Sequence, residues 1–278
     1  MRIAITGSNG KIGRATTARL LADGHEVVGF DLDGPRGPGF TRVDLRDYGQ
    51  ALDALLGVTA RHDGVDALVH LAAIPVNGLV PDATTFHHNM AVSFNVLFGA
   101  HRAGIKKIVY ASSIIAMGFP FEEPPPYLPL DEGYTAANNT YGLVKVMEET
   151  MVGQLVRWDP QLSVTALRFT NVVGENEYGS FERAGELDYR RELLGSYVDA
   201  RDAALAVSLA VEKAPPGFEA YAIAASDTGL TIPSAQLAAA WFPGVPLRKE
   251  LGEFETLLSI DKAATRLGYV PRHLWRDR

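Results

Sequence analysis

The sequence predicts an α/β protein with a doubly wound parallel sheet and a smaller, mixed C-terminal lobe. Short β-branched runs alternate with longer amphipathic stretches through about the first 170 residues. A glycine-rich loop follows the first run and opens the first helix. The chain of 278 residues is 47% hydrophobic and 21% charged, so it is large enough to fold around its own core.

The elements follow this alternation in order. Strands are predicted at Arg2–Thr6, Glu26–Asp31, Ala67–Leu71, Lys107–Ala111 and Val164–Phe169. Helices are predicted at Lys11–Asp23, from about Thr84 to Ala103, and from about Asn139 to Trp158. Strands that alternate with helices indicate right-handed βαβ units.

The alternation weakens after residue 170. Prolines interrupt the chain at Phe119–Pro129, where an irregular segment is expected, and repeatedly beyond Pro215. We expect residues 1–170 to form the sheet domain, which also receives segments near 197–212. Residues 171–278 are expected to form an interwoven substrate-binding lobe.

The loop within Thr6–Gly13 carries glycines at the spacing G-x-x-G-x-x-G. Gly7 permits a tight turn, Gly10 lets the backbone approach a pyrophosphate, and Gly13 lets the helix pack close to the strand. Phosphates bind the free N–H groups of such a helix N-terminus. The pattern therefore predicts a Rossmann-type dinucleotide site, whose loop contacts are Gly7, Asn9, Gly10, Lys11, Ile12 and Gly13.

Asp31 ends the second predicted strand, eighteen positions after Gly13. A carboxylate at this place accepts hydrogen bonds from a ribose 2′-OH and repels a 2′-phosphate, so NAD is favoured over NADP. Arg36 and Arg42 lie nearby and could soften that preference.

Tyr141 and Lys145 are four residues apart on one predicted helix. A neighbouring ammonium favours the phenolate, so we expect it to lower the pKa of Tyr141. Ser112 and Ser113 end a predicted strand, where ligands of parallel sheets bind. One of these two serines is expected to orient a substrate oxygen, and the other to cap a helix or form a turn.

Together these motifs resemble the extended short-chain dehydrogenase/reductases, the NAD-dependent epimerase/dehydratase group. Five further stretches resemble that family in order: Val43-Asp44-Leu45, His70-Leu71-Ala72-Ala73, Asn89, Leu167–Gly174 and Tyr197–Asp202. The resemblance implies that Asp44 and Leu45 line an adenine pocket, that Leu71, Ala72 and Ala73 run beside NAD, and that Asn89 touches it. It also implies that Ser113 is the catalytic serine, that Tyr141 is the acid/base with Lys145 as partner, both in contact with NAD, and that Ser113 and Asn171 face the substrate.

Several positions depart from the family pattern. Ile114 and Ile115 stand where dehydratases carry an acidic pair, which disfavours dehydration, and Met117 replaces a usual tyrosine. The absence of cysteine disfavours epimerases that rely on a Cys and excludes disulfides. Glu175–Ser196 is shorter than in nucleotide-sugar enzymes, as in the uronate dehydrogenases, which suggests a small substrate. Arg183, Arg190 and Arg191 lie in this segment as candidate anion ligands.

We therefore expect an NAD-dependent oxidoreductase that acts on a hydroxyl of a sugar or sugar acid. The alternatives are a UDP-hexose type epimerase with no net NADH and a non-catalytic NAD-binding regulator. A homodimer is expected through the helices near Thr84–Ala103 and Asn139–Trp158, although the apolar Leu143, Val144, Met147, Met151 and Leu155 could equally form core.

Composition excludes several other partners. A net charge of −7 disfavours nucleic acid and anionic membranes, and no apolar run is long enough for a membrane helix. No metal is expected, because the adjacent His87 and His88 point about 100° apart on a helix. The N-terminus lacks a targeting pattern, so a cytoplasmic location is expected.

Overall fold

A seven-stranded parallel sheet forms the centre of the structure, a computed structural model that describes residues 1–34, 37, 39–58, 61–121 and 123–278. The strands are β1 (Arg2–Thr6), β2 (Glu26–Asp31), β3 (Phe40–Arg42), β4 (Ala67–His70), β5 (Lys107–Ser113), β6 (Ser163–Phe169), β7 (Val172–Val173), β8 (Val198–Asp199) and β9 (Gly217–Ile223). The order in the sheet is β3-β2-β1-β4-β5-β6-β9, and β7 pairs with β8 in a separate two-stranded sheet.

Seven α-helices accompany the strands within the described residues. They are α1 (Lys11–Ala22), α2 (Tyr48–Leu56), α3 (Asp82–Arg102), α4 (Thr140–Trp158), α5 (Ala200–Lys213), α6 (Ser234–Trp241) and α7 (Asp261–Leu267). The apolar sides of α1 and α5 form one hydrophobic cluster with the sheet, and those of α2, α3 and α4 form a second cluster. Both faces of the sheet are thus covered, as the buried β-branched strands require.

The predicted fold class is confirmed, and each predicted strand and helix is present with ends within two residues of the prediction. The segment Phe119–Pro129 is irregular as predicted, although Glu122 lies outside the described residues. Three elements of the sheet domain had no prediction: β3, α2 and β9. The last of these extends the main sheet beside β6, although it lies in the C-terminal half of the chain.

The strand order creates one topological switch point. The chain leaves β1 toward β2 on one side of the sheet, while β4 lies on the other side of β1. Loops after β1 and β4 therefore separate at the carboxyl edge and leave a crevice between them, where ligands of open α/β sheets bind. No helix of the described segments is both long and apolar enough to span a bilayer.

Candidate active site

A cavity of about 800 Å³ occupies this crevice. Its walls come from the loops after β1, β2, β4, β5 and β6 and from the start of α4. Every predicted site residue except Asn89 lines it: Gly7, Asn9, Gly10, Lys11, Ile12, Gly13, Asp31, Asp44, Leu45, Leu71, Ala72, Ala73, Ser113, Tyr141, Lys145 and Asn171. The fold therefore brings together residues that lie up to 164 positions apart in the chain.

The glycine loop fits a dinucleotide because its backbone leaves no room for side chains. A Cβ on Gly7 would lie 2.7 Å from the Ala72 amide nitrogen, and one on Gly13 would lie 2.1 Å from the Gly7 carbonyl oxygen. Gly7 also has a φ of +67°, which favours glycine. Since α1 begins without a side-chain cap and without an acidic residue in its first turn, its amides are free for an anion. These features match the pyrophosphate of NAD.

Two carboxylates line the cavity beyond the loop. Asp31 accepts hydrogen bonds from the backbone amides of Asn9 (3.0 Å) and Leu32 (2.8 Å), so its position is fixed. Asp44 pairs with Arg46, whose guanidinium lowers the pKa of Asp44 to about 2. Of the two nearby arginines, Arg42 donates to the Leu32 carbonyl oxygen at 2.6 Å. Arg36 lies outside the described residues.

Asn89 has a different role from the predicted contact with NAD. Its side chain is fully buried in α3 and does not line the cavity. The amide pairs with the backbone of Ile74, with Nδ2 donating to the carbonyl oxygen at 3.0 Å and Oδ1 accepting from the amide at 2.8 Å. Asn89 therefore shapes the loop after β4 from behind, and the direct contact was a wrong expectation.

Ser113, Tyr141 and Lys145 line the same cavity as the glycine loop. Ser113 ends β5, and its Oγ accepts from the Ile115 amide at 3.2 Å, while Ser112 donates to Glu149 Oε1 at 2.7 Å. Tyr141 and Lys145 lie on the first turns of α4, with the ammonium 5.6 Å from the centre of the phenol ring. Both serines have structural hydrogen bonds, and Ser113 alone of the two also hydrogen-bonds Tyr141.

The electrostatics of Tyr141 differ from the prediction. Burial raises the pKa of Tyr141 above its usual value, and this effect outweighs the opposing influence of Lys145. The charge of Glu148 acts in the same direction as burial, while the hydrogen bond with Ser113 opposes it. The expected lowering was wrong because it considered the ammonium without the desolvation of the phenolate or the Glu148 carboxylate two turns along the helix.

The loop after β6 forms a further wall of the cavity. Asn171 is exposed there, and its Oδ1 accepts from Arg190 Nη1 at 3.0 Å. The three arginines of the segment Glu175–Ser196 differ in their exposure and in their partners. Arg183 is exposed and pairs with Glu186, and Arg191 donates to the Trp241 carbonyl oxygen at 3.3 Å. Arg190 is the buried one, 7% exposed.

Lys11 connects the glycine loop with the C-terminal half. Its Nζ donates to the Val172 carbonyl oxygen at 2.9 Å and pairs with Glu177. Glu177 Oε2 also accepts from the Gly174 amide at 2.8 Å. One lysine of the cofactor loop therefore holds the loop that carries Asn171.

The profile of the NAD dependent epimerase/dehydratase family matches residues 3–224, which is most of the chain. This chain belongs to that family. The predicted resemblance is confirmed, and with it a dependence on NAD. The family comprises enzymes, and the match includes the glycine loop, Ser113, Tyr141 and Lys145.

Several curated relatives are UDP-glucose 4-epimerases. The enzyme of Bacillus subtilis is 31% identical over 199 residues, which cover 67% of this chain and 56% of the relative. That of Lacticaseibacillus casei is 32% identical over 198 residues, or 65% of this chain and 54% of the relative. The chain thus spans about half the length of the curated relatives it matches.

Solved structures share the fold over a wider range. UDP-glucose 4-epimerase from Bifidobacterium longum, in complex with NAD+ and UDP, superimposes with a TM-score of 0.72 at 19% identity, and covers 100% of this chain and 95% of that one. UDP-N-acetylglucosamine 4-epimerase from Bacillus cereus gives a TM-score of 0.70 at 23% identity, with 99% and 95% covered. At these identities the likeness concerns the fold.

Sequence reasoning missed a group of buried polar side chains beneath the cavity. His70 Nδ1 lies 2.6 Å from Thr6 Oγ1, Ser93 Oγ lies 2.6 Å from Glu148 Oε1, and Glu148 Oε2 lies 2.9 Å from Lys145 Nζ. All five side chains are at most 4% exposed. The signal in the sequence was the presence of polar residues within otherwise apolar strands and helices. Only tertiary packing determines that these side chains contact one another.

His70 gives a prediction for the pH dependence of stability. Burial, assisted by the charge of Lys145, lowers the pKa of His70 to about 3 from 6.5. Between these values the unfolded chain binds the extra proton, so the free energy of unfolding should fall as pH decreases from about 6.5 toward 3, by up to about 1.4 kcal/mol per unit. Urea unfolding of His70→Asn should show a shallower dependence in this range.

The matched control is His87→Asn, which changes an exposed histidine. It should retain the slope of the unmodified protein. Equal slopes for His70→Asn and the unmodified protein would show that His70 is not held neutral in the fold.

Proposed function

We propose that this protein is an NAD-dependent oxidoreductase that removes hydrogen from a hydroxyl of a sugar or sugar acid. The observation that carries the proposal is that Ser113, Tyr141 and Lys145 line the same cavity as the glycine loop. Residues 171–278 would supply most of the substrate contacts, apart from α5 and β9, which pack on or in the main sheet.

Each residue of this group has a defined task. Tyr141 Oη takes the hydroxyl proton, and Ser113 Oγ donates a hydrogen bond to the substrate oxygen as it becomes a carbonyl. The chemistry that bound NAD supplies is hydride acceptance at the nicotinamide. Lys145 has three N–H donors, two of which bind the Ala111 carbonyl oxygen and Glu148, so one remains for the cavity. A ribose hydroxyl of NAD is the acceptor we assign to it.

The segment between β7 and β8 supports a small substrate. It contains two short 3₁₀ turns, Tyr178–Arg183 and Arg191–Leu193, and Leu193 from the second turn lines the cavity. Phe181 is packed between the rings of Trp275 and Tyr197 at 5.4 and 5.0 Å. A segment this short and this firmly packed favours a free sugar or sugar acid over a nucleotide sugar.

Arg190 favours an acidic substrate. Its guanidinium is nearly buried, and no carboxylate in the described residues lies within ion-pair distance of it. Its protein partners are neutral: Asn171 Oδ1 and the Tyr189 hydroxyl, each at 3.0 Å. A buried cation without an anion is costly, and a bound carboxylate would remove that cost. Asn171 lines the cavity and Arg190 does not, so an acid group bound there would contact Asn171 and be attracted by the charge of Arg190 behind it.

The second candidate is an epimerase of UDP-hexoses, which the curated relatives favour. The same three residues would support oxidation of the hydroxyl to a keto group. The keto sugar would then rotate in the cavity and regain its hydrogen on the opposite face, so no net NADH would form. In that case the diphosphate of UDP would be the anion beside Arg190. The regulator alternative is disfavoured, because a protein that only binds NAD needs no buried tyrosine and lysine in the cavity.

The test is NADH formation by the purified protein with NAD and a panel of aldoses, uronic acids and nucleotide sugars. Net NADH with one free sugar or uronate establishes the dehydrogenase. Interconversion of a UDP-sugar without NADH, detected by chromatography of the same mixtures, establishes the epimerase and overturns our first proposal.

Tyr141→Phe should lower kcat by about 10²- to 10⁴-fold, because it removes the group that accepts the proton. NAD affinity, measured by calorimetry, should not change, since the ring stays in place. Tyr127→Phe is the control, because Tyr127 binds Asp131 and does not line the cavity. Full activity of Tyr141→Phe would show that the acid/base has been assigned to the wrong residue.

Arg190→Met should raise KM for a uronic acid by about 10- to 100-fold, because the positive charge behind Asn171 that attracts the carboxylate is lost. KM for the corresponding neutral aldose should change little. Arg183→Met provides the control, as Arg183 is exposed and paired with Glu186. An equal increase for acid and aldose would mean that Arg190 supports the lobe and does not bind the acid group.

We also propose a homodimer that forms through α3 and α4. These helices pack together. The side chains of Phe94, Leu143 and Met147 remain 37–47% exposed, while Val144 and Leu155 are buried in the core. Light scattering should give twice the 30.1 kDa chain mass, and Leu143→Glu should give the single-chain mass. Leu21→Glu on α1 is the control, and a monomeric unmodified protein would contradict the proposal.

A further inference from the structure

A carboxylate that the proposed reaction does not use lies directly behind the catalytic group. Glu148 follows Lys145 by three residues on α4 and is completely buried, and Lys145 is 3% exposed. Lys145 Nζ donates to Glu148 Oε2 and to the Ala111 carbonyl oxygen, both at 2.9 Å. A buried ammonium needs a compensating charge, and Glu148 is the residue that provides it.

The second oxygen of Glu148 determines how its neighbours orient their protons. An ionised carboxylate only accepts, so Ser93 Oγ donates to Oε1 at 2.6 Å. The Ser93 oxygen is then available to accept from His70 Nε2, at a longer 3.4 Å. His70 is consequently neutral with its proton on Nε2, and Nδ1 accepts from Thr6 Oγ1 at 2.6 Å.

Thr6 completes the chain at the cofactor side. Its Oγ1 accepts from the backbone amides of Leu71 and Ala72, at 3.2 and 3.4 Å. Leu71 and Ala72 line the cavity beside the glycine loop. A single series of hydrogen bonds therefore runs from Leu71 and Ala72, which we call the cofactor wall, to Glu148. Every donor in the series points toward the Glu148 carboxylate.

We propose that Glu148 is a positioning residue that fixes the Lys145 ammonium with one N–H toward the cavity and sets the proton directions of the chain that leads to the cofactor wall. This inference rests on the proposed function for the role of Lys145. It means that Glu148 sets the pH at which the Tyr141–Lys145 pair releases its proton.

The groups around Glu148 show why its charge matters to this pair. His70 from β4 is neutral, Tyr110 from β5 is fully buried, and Arg168 from β6 is compensated by Glu149 at 2.7 Å. The remaining charges are those of Lys145 and Glu148, with Tyr141 beside them. Glu148 raises the pKa of both Lys145 and Tyr141, because its negative charge favours the protonated forms.

The test is the pH profile of NADH formation by Glu148→Gln. Without the negative charge, the Tyr141–Lys145 pair loses its first proton more easily, so the acidic limb of kcat should shift to lower pH. Glu149→Gln is the matched control on the next position of α4, since Glu149 pairs with Arg168 and its charge acts on Lys145 less strongly than that of Glu148. A limb that stays in place, or that moves equally in both variants, overturns the proposal.

A second measurement needs neither substrate nor NAD. The protein is labelled with ¹³C at tyrosine Cζ and lysine Cε, and Tyr141→Phe and Lys145→Arg assign the two resonances. The first of these resonances to titrate should do so at lower pH in Glu148→Gln than in the unmodified protein. This outcome is independent of the substrate panel, so failure of the proposed function and failure of this inference can be distinguished.

Ser93→Ala keeps the proposal testable if Glu148→Gln does not fold. It removes the donor to Glu148 Oε1 and leaves the ion pair with Lys145 intact. Without the Ser93 hydroxyl, the negative charge of Glu148 is less compensated and acts more strongly on Lys145, so the same resonance should shift in the opposite direction, to higher pH, by a smaller amount. An unchanged titration in Ser93→Ala, with Glu148→Gln unfolded, would overturn the role of the chain.

Discussion

The close approach of two backbone segments is the constraint on which the site depends. The loop after β1 lies against the first residues after β4, so closely that a Cβ on Gly7 would collide with the Ala72 amide. The first turn of α1 packs equally closely on this loop, because a Cβ on Gly13 would collide with the Gly7 carbonyl oxygen. This contact directs the N-terminus of α1 toward the cavity and places Thr6 within reach of the backbone that forms the wall. The positions of the cavity residues on β1 and β4 follow from it.

Regular periodicity made much of the sheet domain predictable. Buried strands such as Arg2–Thr6 and long helices such as α4 were located within two residues, because local pattern and tertiary environment agree. β3 is only three residues long, and β9 is half-buried along most of its length, so neither has a distinct pattern. The proline-interrupted lobe offered no periodicity to interpret.

The site shows the same division between local and tertiary information. The glycine loop and the Tyr141–Lys145 spacing are local patterns, and they were recognised. The role of Asn89, the direction of the Tyr141 pKa shift and the partners of Glu148 depend on residues that other elements bring close to them. Glu148 in particular has an ordinary position in an amphipathic helix, and only the packing of α3 and β4 against α4 surrounds it with partners.

The C-terminal lobe and the sheet domain share one hydrophobic cluster, in which Leu257 and Leu258 of the lobe join Ile3 and Ile5 of β1. Side-chain hydrogen bonds hold the irregular segments of the lobe itself together. Tyr197 donates to Asp227 at 2.7 Å and accepts from the Trp275 amide at 2.9 Å, while Asp202 accepts from the backbone and ring of His273. None of these hydrogen bonds reaches a strand of the main sheet, whereas the shared cluster does. Substitutions among them can therefore alter the lobe alone, but substitutions in the cluster also affect the sheet.

Lys11 limits that independence. Because its ammonium reaches from the cofactor loop to the Val172 carbonyl oxygen and Glu177, it gives the two halves of the molecule an ionic connection, as Arg248 and Asp131 do elsewhere. A chimaera that receives residues 171–278 from a relative has to retain an acid at the position of Glu177. Without that acid, the ammonium keeps a single backbone acceptor, and the grafted loop with Asn171 loses its tether to the cofactor half.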